Sequence, residues 1–289
     1  MNISTLFEKG RPVFSVEIFP PKKTAGIMSL YRTLDQLEHI RPDFISVTYG
    51  AGGGKAGTQT CELASYIKNQ MHIEPLAHMT CVNSTKEQIL GAMEELKKNN
   101  VENILALRGD ITETSVLDPD MVHASDMTSF IRSNGSFNVV GACYPECHFE
   151  CDNLDQDIEN LKRKVDVGAS HLITQLFFDN DKFYEFRNKA DQAGIKVPIE
   201  AGIMPIVNTR QVERTVALSG ASLPGEFTHM ISRYSNSPEA LHHAGIAYAI
   251  EQIYELLDNG VQGVHIYAMN NARVAKEIYE GVKVRLGRE

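Results

Sequence analysis

No apolar run in this chain reaches the roughly 18 residues that a membrane span requires. Its opening segment, MNISTLFEKG, contains no apolar stretch of the kind that directs export. Positive charge is in short supply: 28 Lys and Arg stand against 37 Asp and Glu, a formal net charge of −9. That balance argues against non-specific binding to nucleic acid or to an anionic membrane, and an anionic ligand would need locally gathered cations. Cysteine is sparse. Cys61, Cys81, Cys143, Cys147 and Cys151 suit a reducing cytosol better than a disulfide scaffold. Three of them recur in CYPECHFEC (143–151) with His148 between, but the spacing matches neither a zinc pair nor a ferredoxin run, so no metal is expected. No Pro/Gly/Ser linker or composition shift divides the chain. Its 289 residues and 43% hydrophobic composition allow one large domain or two ordinary ones, and without a divider the chain reads as a single domain, 1–289.

What is present is a rhythm. Short β-branched runs, VFSVEIF (13–19), FISVTY (44–49), PLAHMT (75–80), NILALRG (103–109), NVVGACY (138–144), HLITQLFF (171–178), VPIEAGI (197–203) and GVHIYAM (263–269), alternate with amphipathic ones. The helical patterns include 27–40, 86–99, 154–168 and 238–260, two of them stopped by Gly168 and Gly260. Eight strands alternating with helices predict a parallel sheet closed into a (β/α)8 TIM barrel, with an extra C-terminal helix from about Ala272. The stretch 204–237 predicts a seventh helix and a long loop through SLPGEF.

Side chains alternate faces along a strand. One face carries Ser15/Glu17, Ser46/Thr48, Leu76/His78/Thr80, Ala106/Arg108/Asp110, Ala142/Tyr144 and Ile173/Gln175. That face turns polar toward each strand's carboxyl end, where barrels of this type carry their sites. One such group is usually a satisfied core residue. Six converging on one mouth are harder to dismiss, since each left unpaired costs about 1–3 kcal/mol.

Single motifs stay ambiguous. TYGAGGGKAGT (48–58) contains Gly52-x-Gly54-x-x-Gly57, a weak dinucleotide signature; it fails as a P-loop because Ala56 follows Lys55, and a flexible loop over the mouth is the simpler reading. ALRGD (106–110) is either a structural Arg–Asp pair or a carboxylate aimed at ligand N–H groups. NLKRK (160–164) is either a solvated face or a site that neutralises phosphate. A lone His78 is more often packed than catalytic. Gln175 offers an amide that both donates and accepts.

Taken together, EIFPPK (17–22), ISVTYGAGG (45–53), HMTC (78–81), ALRGD, YPECH (144–148), NLKRKVDVGA (160–169), ITQLFFD (173–179), GIMPI (202–206) and VHIYAMN (264–270) resemble, in order, the methylenetetrahydrofolate reductase family in its short, catalytic-domain form. The resemblance implies a TIM barrel holding FAD non-covalently and reducing 5,10-methylenetetrahydrofolate to 5-methyltetrahydrofolate. NADH or NADPH would be the donor, in a ping-pong reaction. It implies a small-molecule folate substrate, a cytoplasmic homo-oligomer, and no nucleic-acid or membrane partner. Glu17 would be the general acid, and Asp110 would sit between flavin and pterin. Thr48, Tyr49, Ala51, His78, Arg108, Gly109, Asp110, His123, Tyr144, His148, Asp157, Asn160, Arg163 and Lys164 fall on cofactor-binding positions. Asp110, Gln175, Gln211 and Arg273 fall where the substrate is held. The chain departs from the family at Thr215, where some members carry an aromatic, at Asn271, which replaces a folate-contacting arginine, and at His123, which replaces a tyrosine. An acid in the role of Glu17 must keep its proton near neutral pH, and Pro20-Pro21 would stiffen the segment after it. A flavin-free barrel lyase or methyltransferase, or a folate-binding module without catalysis, would use the same mouth. The absorbance of the purified protein separates these.

Overall fold

A computed structural model describes residues 1–21, 26–49 and 54–288. Eight strands, β1 (Val13–Ile18), β2 (Phe44–Val47), β3 (Glu74–Thr80), β4 (Asn103–Leu107), β5 (Asn138–Cys143), β6 (Ala169–Thr174), β7 (Ile199–Ile203) and β8 (Gly263–Ile266), pair in sequence order and close into a barrel. Every pairing is parallel, including β1 with β8, where Ser15 stands opposite His265. Parallel strands require crossovers, and helices supply them. These are α1 (Ile27–Glu38), α2 (Gly54–Asn69), α3 (Lys86–Lys98), α4 (Ala124–Asn134), α5 (Leu154–Asp166) and α6 (Asn180–Gln192). Before β8 come α7 (Thr209–Ser219), α8 (Gly225–Tyr234) and α9 (Pro238–Asp258), and α10 (Ala272–Val282) follows it. Among the described residues no helix is long and apolar enough to cross a membrane.

Local chemistry sets the helix ends. Thr85 and Gln88 form a reciprocal capping box on α3, Asn153 caps α5, and Ser237 followed by Pro238 opens α9. Gly168 (φ +118°) and Gly260 (φ +75°) take the left-handed conformations that end α5 and α9, as the sequence predicts.

Outward strand residues such as Phe14, Val16, Ile45 and Ile266 pack against the helices. Inward ones, Val13, Phe44, Leu76, Leu105, Val140 and Ile173, meet Ile3 and Leu6 of an N-terminal 3-10 turn, which plugs the barrel floor. The lower interior is therefore packed by these apolar groups around a few fully buried polar ones, Ser15, Glu200 and His265 among them, and the upper end opens as a polar mouth.

Two expectations are corrected. SLPGEF is no long loop: the turn is confined to 220–224, and α8 starts at Gly225. TYGAGGGKAGT is not all loop either, since α2 begins at Gly54; residues 50–53, and with them Ala51, lie outside the described residues. A third correction concerns β4. Leu105 and Leu107 face inward, while Ile104 and Ala106 pack outward against Met93 and Met127. The alternation cannot be carried on to Asp110, because the strand ends at Leu107 and Gly109 turns the backbone at φ +90°.

Candidate active site

At the carboxyl ends of the strands opens a cleft of about 730 Å³ to which all eight strands or their following residues contribute. Glu17, Thr48, Tyr49, His78, Gly109, Asp110, Tyr144, Gln175 and Gln211 all line it. Glu17 is mostly buried, and its Oε2 lies 3.8 Å from His78 Nε2 and 3.9 Å from His265 Nε2. Burial lowers the His78 pKa to about 4, and its Nε2 has no hydrogen-bond partner. A neutral imidazole with a free buried nitrogen therefore stands beside the carboxyl group.

The segment after Glu17 is held from across the barrel. Asn270 Oδ1 accepts from Phe19 N–H at 2.9 Å, and Asn270 Nδ2 donates to Phe19 O at 2.8 Å. Asn270 and Met269 both sit in the left-handed region, at φ +55°. This amide clamp, rather than the prolines alone, fixes the strand end, and in the MNNAR stretch nothing local tells Asn270 from its neighbour Asn271.

Gln175 Oε1 accepts from Leu176 N–H at 2.9 Å, so its amide NH2 is what faces the cleft. Gln211 Oε1 accepts from Val207 N–H at 2.9 Å. Tyr144 packs edge-on against His148, and burial pushes its hydroxyl up to about 12. Thr215 of α7 lines the cleft and donates to Met204 Sδ.

The remaining expected residues lie around one flank. Arg108 turns away from the cleft and grips Glu150 through two hydrogen bonds of 2.5 and 2.6 Å. Asp157 Oδ2 accepts from the backbone N–H of His148 at 2.9 Å, and Asn160 lies against Cys151 Sγ. NLKRK is not one cationic patch. Lys162 pairs with Asp166, Arg163 is exposed, and Lys164 Nζ donates to Ala142 O at 2.6 Å, with burial lowering its pKa. His123 is exposed at the N-cap of α4. Arg273 is exposed on α10, paired with Glu277 rather than lining the cleft, and Asn271 caps that helix. No group of three or more His, Cys, Asp or Glu side chains arranged for a metal occurs among the described residues.

Sequence reasoning passed over the inward residues of the last two strands. His265, Tyr267 and Met269 line the cleft, and Glu200 is buried beneath it. The same alternation, carried through VPIEAGI and GVHIYAM, finds them.

Residues 2–283 match the family described as methylenetetrahydrofolate reductase. The chain belongs to the methylenetetrahydrofolate reductase family. Within it, the 5,10-methylenetetrahydrofolate reductase of Pectobacterium carotovorum is 33% identical, the alignment covering 99% of this chain and 95% of that protein. The Escherichia coli reductase is 32% identical over 99% and 96%. An Arabidopsis thaliana methylenetetrahydrofolate reductase (NADH) is 36% identical, and there the chain spans about half, 48%, of the relative's length. In fold, the family's barrel is shared by a Clostridium thermocellum protein that binds two copies of 5-methyl-5,6,7,8-tetrahydrofolic acid (TM-score 0.64, 12% identity, 99% of both chains).

Proposed function

We propose that this protein reduces 5,10-methylenetetrahydrofolate to 5-methyltetrahydrofolate, using non-covalent FAD and a reduced nicotinamide, NADH or NADPH. The observation that carries this reading is a shielded carboxyl, Glu17, lining together with Asp110 and Gln175 a cleft built from all eight strands. The cleft suits a flat heteroaromatic group. Its walls mix Leu105, Leu107 and Ile173 with Thr48, Thr80 and Asp110, and His78, whose buried Nε2 has no partner, lines it as well. Gly109 narrows the rim: a Cβ there would lie 3.2 Å from Thr80 Cβ in a backbone conformation that favours glycine.

Thr48, Tyr49, His78, Gly109, Asp110 and Tyr144 would hold the isoalloxazine end. Arg163, with the flank of Arg108, His148, Asp157, Asn160 and Lys164, would serve the phosphate and adenine end. When bound, FAD would supply hydride acceptance from the nicotinamide and hydride donation to the folate methylene carbon. The protein's own work is proton handling and orientation. Glu17 holds a proton and delivers it to the amine nitrogen released as the five-membered ring opens. Asp110 accepts N–H bonds from the pterin, and the Gln175 NH2 donates to it. One cleft serving nicotinamide and folate in turn gives ping-pong kinetics.

The test is an absorbance spectrum of the purified protein, followed by anaerobic reduction with NADH or NADPH and reoxidation by methylenetetrahydrofolate. Flavin bands that bleach and return support the proposal. A colourless protein that takes up no FAD would favour the flavin-free lyase or methyltransferase. A yellow protein that binds folate without reoxidation would be a binding module.

A further inference from the structure

Below Glu17 the barrel interior contains a chain of polar groups that the proposed reaction leaves unused. Glu200 on β7 is fully buried. Its Oε1 lies 2.5 Å from Ser15 Oγ, and its Oε2 has no partner. The same Ser15 oxygen lies 2.6 Å from His265 Nδ1. The opposite ring nitrogen of His265, Nε2, lies 3.2 Å from Ser46 Oγ and 3.9 Å from Glu17 Oε2. The imidazole is nearly inaccessible and stacks on Phe44 with ring planes 21° apart, so its orientation is set while its hydrogen position is not.

We propose that Glu200 is a positioning residue for Glu17: through Ser15 it determines which nitrogen of His265 carries the hydrogen. This rests on the reading of Glu17 as the acid. A hydroxyl has one hydrogen to give. When Glu200 is protonated, its O–H donates to Ser15 Oγ, and the Ser15 hydrogen is directed at His265 Nδ1. The ring hydrogen then sits on Nε2, facing Ser46 and Glu17. When Glu200 is ionised, the Ser15 hydroxyl turns to it and Nδ1–H donates to Ser15. Nε2 then presents a lone pair that competes for the Glu17 proton.

Burial decides which form rests at neutral pH. No Lys or Arg among the described residues pairs with Glu200. Desolvation, with a smaller contribution from Asp43, raises its pKa to about 8 against the hydrogen bond from Ser15. The other titratable groups nearby do not supply a cation. Asp43, at the foot of β2, is itself paired with Arg11 and Arg288. His171 on β6 is held neutral by burial, its pKa lowered to about 3, and Tyr267 beyond β8 is raised well above the usual phenol range. His78 on β3, beside Glu17, is lowered to about 4. Neutral Glu200 thus keeps His265 in the Nε2–H form.

The test uses the resting protein with its histidine rings labelled with 15N, His265 being assigned by comparison with His265→Gln. The wild type should show hydrogen on Nε2 at pH 7 and on Nδ1 at pH 9. Glu200→Gln, whose amide donates to Ser15 at every pH, should keep Nε2–H throughout. In stopped flow, the wild-type folate half-reaction should fall about tenfold between pH 7 and pH 9, as one ionisation dictates, and Glu200→Gln should not follow it. An Nδ1–H ring at pH 7, or a wild-type tautomer unmoved up to pH 9, would overturn the proposal without reference to any variant's folding. A tautomer switch in a protein that reduces no folate would uphold Glu200 and overturn the role given to Glu17.

Discussion

Glu17 Oε2 stands 3.8 Å from His78 Nε2, yet the two are no ion pair at neutral pH. Burial keeps the imidazole uncharged down to about pH 4, so His78 offers Glu17 a dipole and not a charge.

Glu17→Gln preserves shape and hydrogen bonding but has no acidic proton. The variant should fold, bind FAD and be reduced by the nicotinamide at the wild-type rate. Transfer to methylenetetrahydrofolate should fall by at least about 10²-fold, the low end for a lost acid catalyst. Stopped-flow measurement of each half-reaction decides it. Equal losses in both halves would indicate a binding defect, and normal folate reduction would leave Glu17 a structural role.

Stability should depend on pH in two opposed ways. His78 and His171 have folded pKa values of about 4 and about 3, below the unfolded value of 6.5. The unfolded chain therefore binds more protons below about pH 6.5, and stability is lost as pH falls toward those values, by roughly 3–5 kcal/mol per imidazole over the full window. Glu200 acts oppositely. Its folded pKa of about 8 exceeds the unfolded 4.5, so the native state holds the extra proton and stability is lost as pH rises through that window. Urea unfolding from pH 4.5 to 8 should show His171→Leu removing part of the acid-side loss and Glu200→Gln removing the alkaline-side one. Parallel curves for wild type and both variants would contradict the assignment.

Arg163 and Lys164 should separate experimentally although they are neighbours. Arg163→Glu alters an exposed guanidinium and should weaken FAD binding about tenfold or more, with Tm unchanged, if that group meets phosphate. Lys164→Met instead removes the buried bond to Ala142 O and should cost about 1–2 kcal/mol of stability. Flavin fluorescence titration beside thermal melts distinguishes them. Unaltered FAD affinity in Arg163→Glu would remove that residue from the cofactor site.

Two glycines make a matched pair. A Cβ on Gly245 of α9 would fall 1.8 Å from Ile206 O, so Gly245→Ala should destabilise by about 1–3 kcal/mol or more. Gly91 in α3 has nothing within 4 Å of such a carbon, and Gly91→Ala should stabilise by roughly 0.5–1 kcal/mol. Denaturant midpoints that move together would refute the packing argument.

The barrel was legible because its strands are short β-branched runs between amphipathic helices, and each of the eight forms where that pattern puts it. Strand facing was less legible on β4, since in NILAL a small alanine fits either side and the leucines fit both the core and the floor. The flank was legible only as charge. In NLKRK three cations look alike, but a helix places them about 100° apart, so one finds a carboxylate, one water and one a buried carbonyl. The clamp of Asn270 on Phe19 joins residues 251 apart in the chain, and no local pattern announces it.

Closing the barrel also has a cost in time. Ser15 and His265, 250 residues apart, must meet before β1 has its second neighbour. During synthesis at about 5–20 residues per second, one edge of β1 stays open for roughly 10–50 s after it emerges. An unpaired parallel edge is a template for other chains. Substitutions that delay the arrival of Gly263–Ile266 should therefore lower the yield of folded protein more than they lower its final stability.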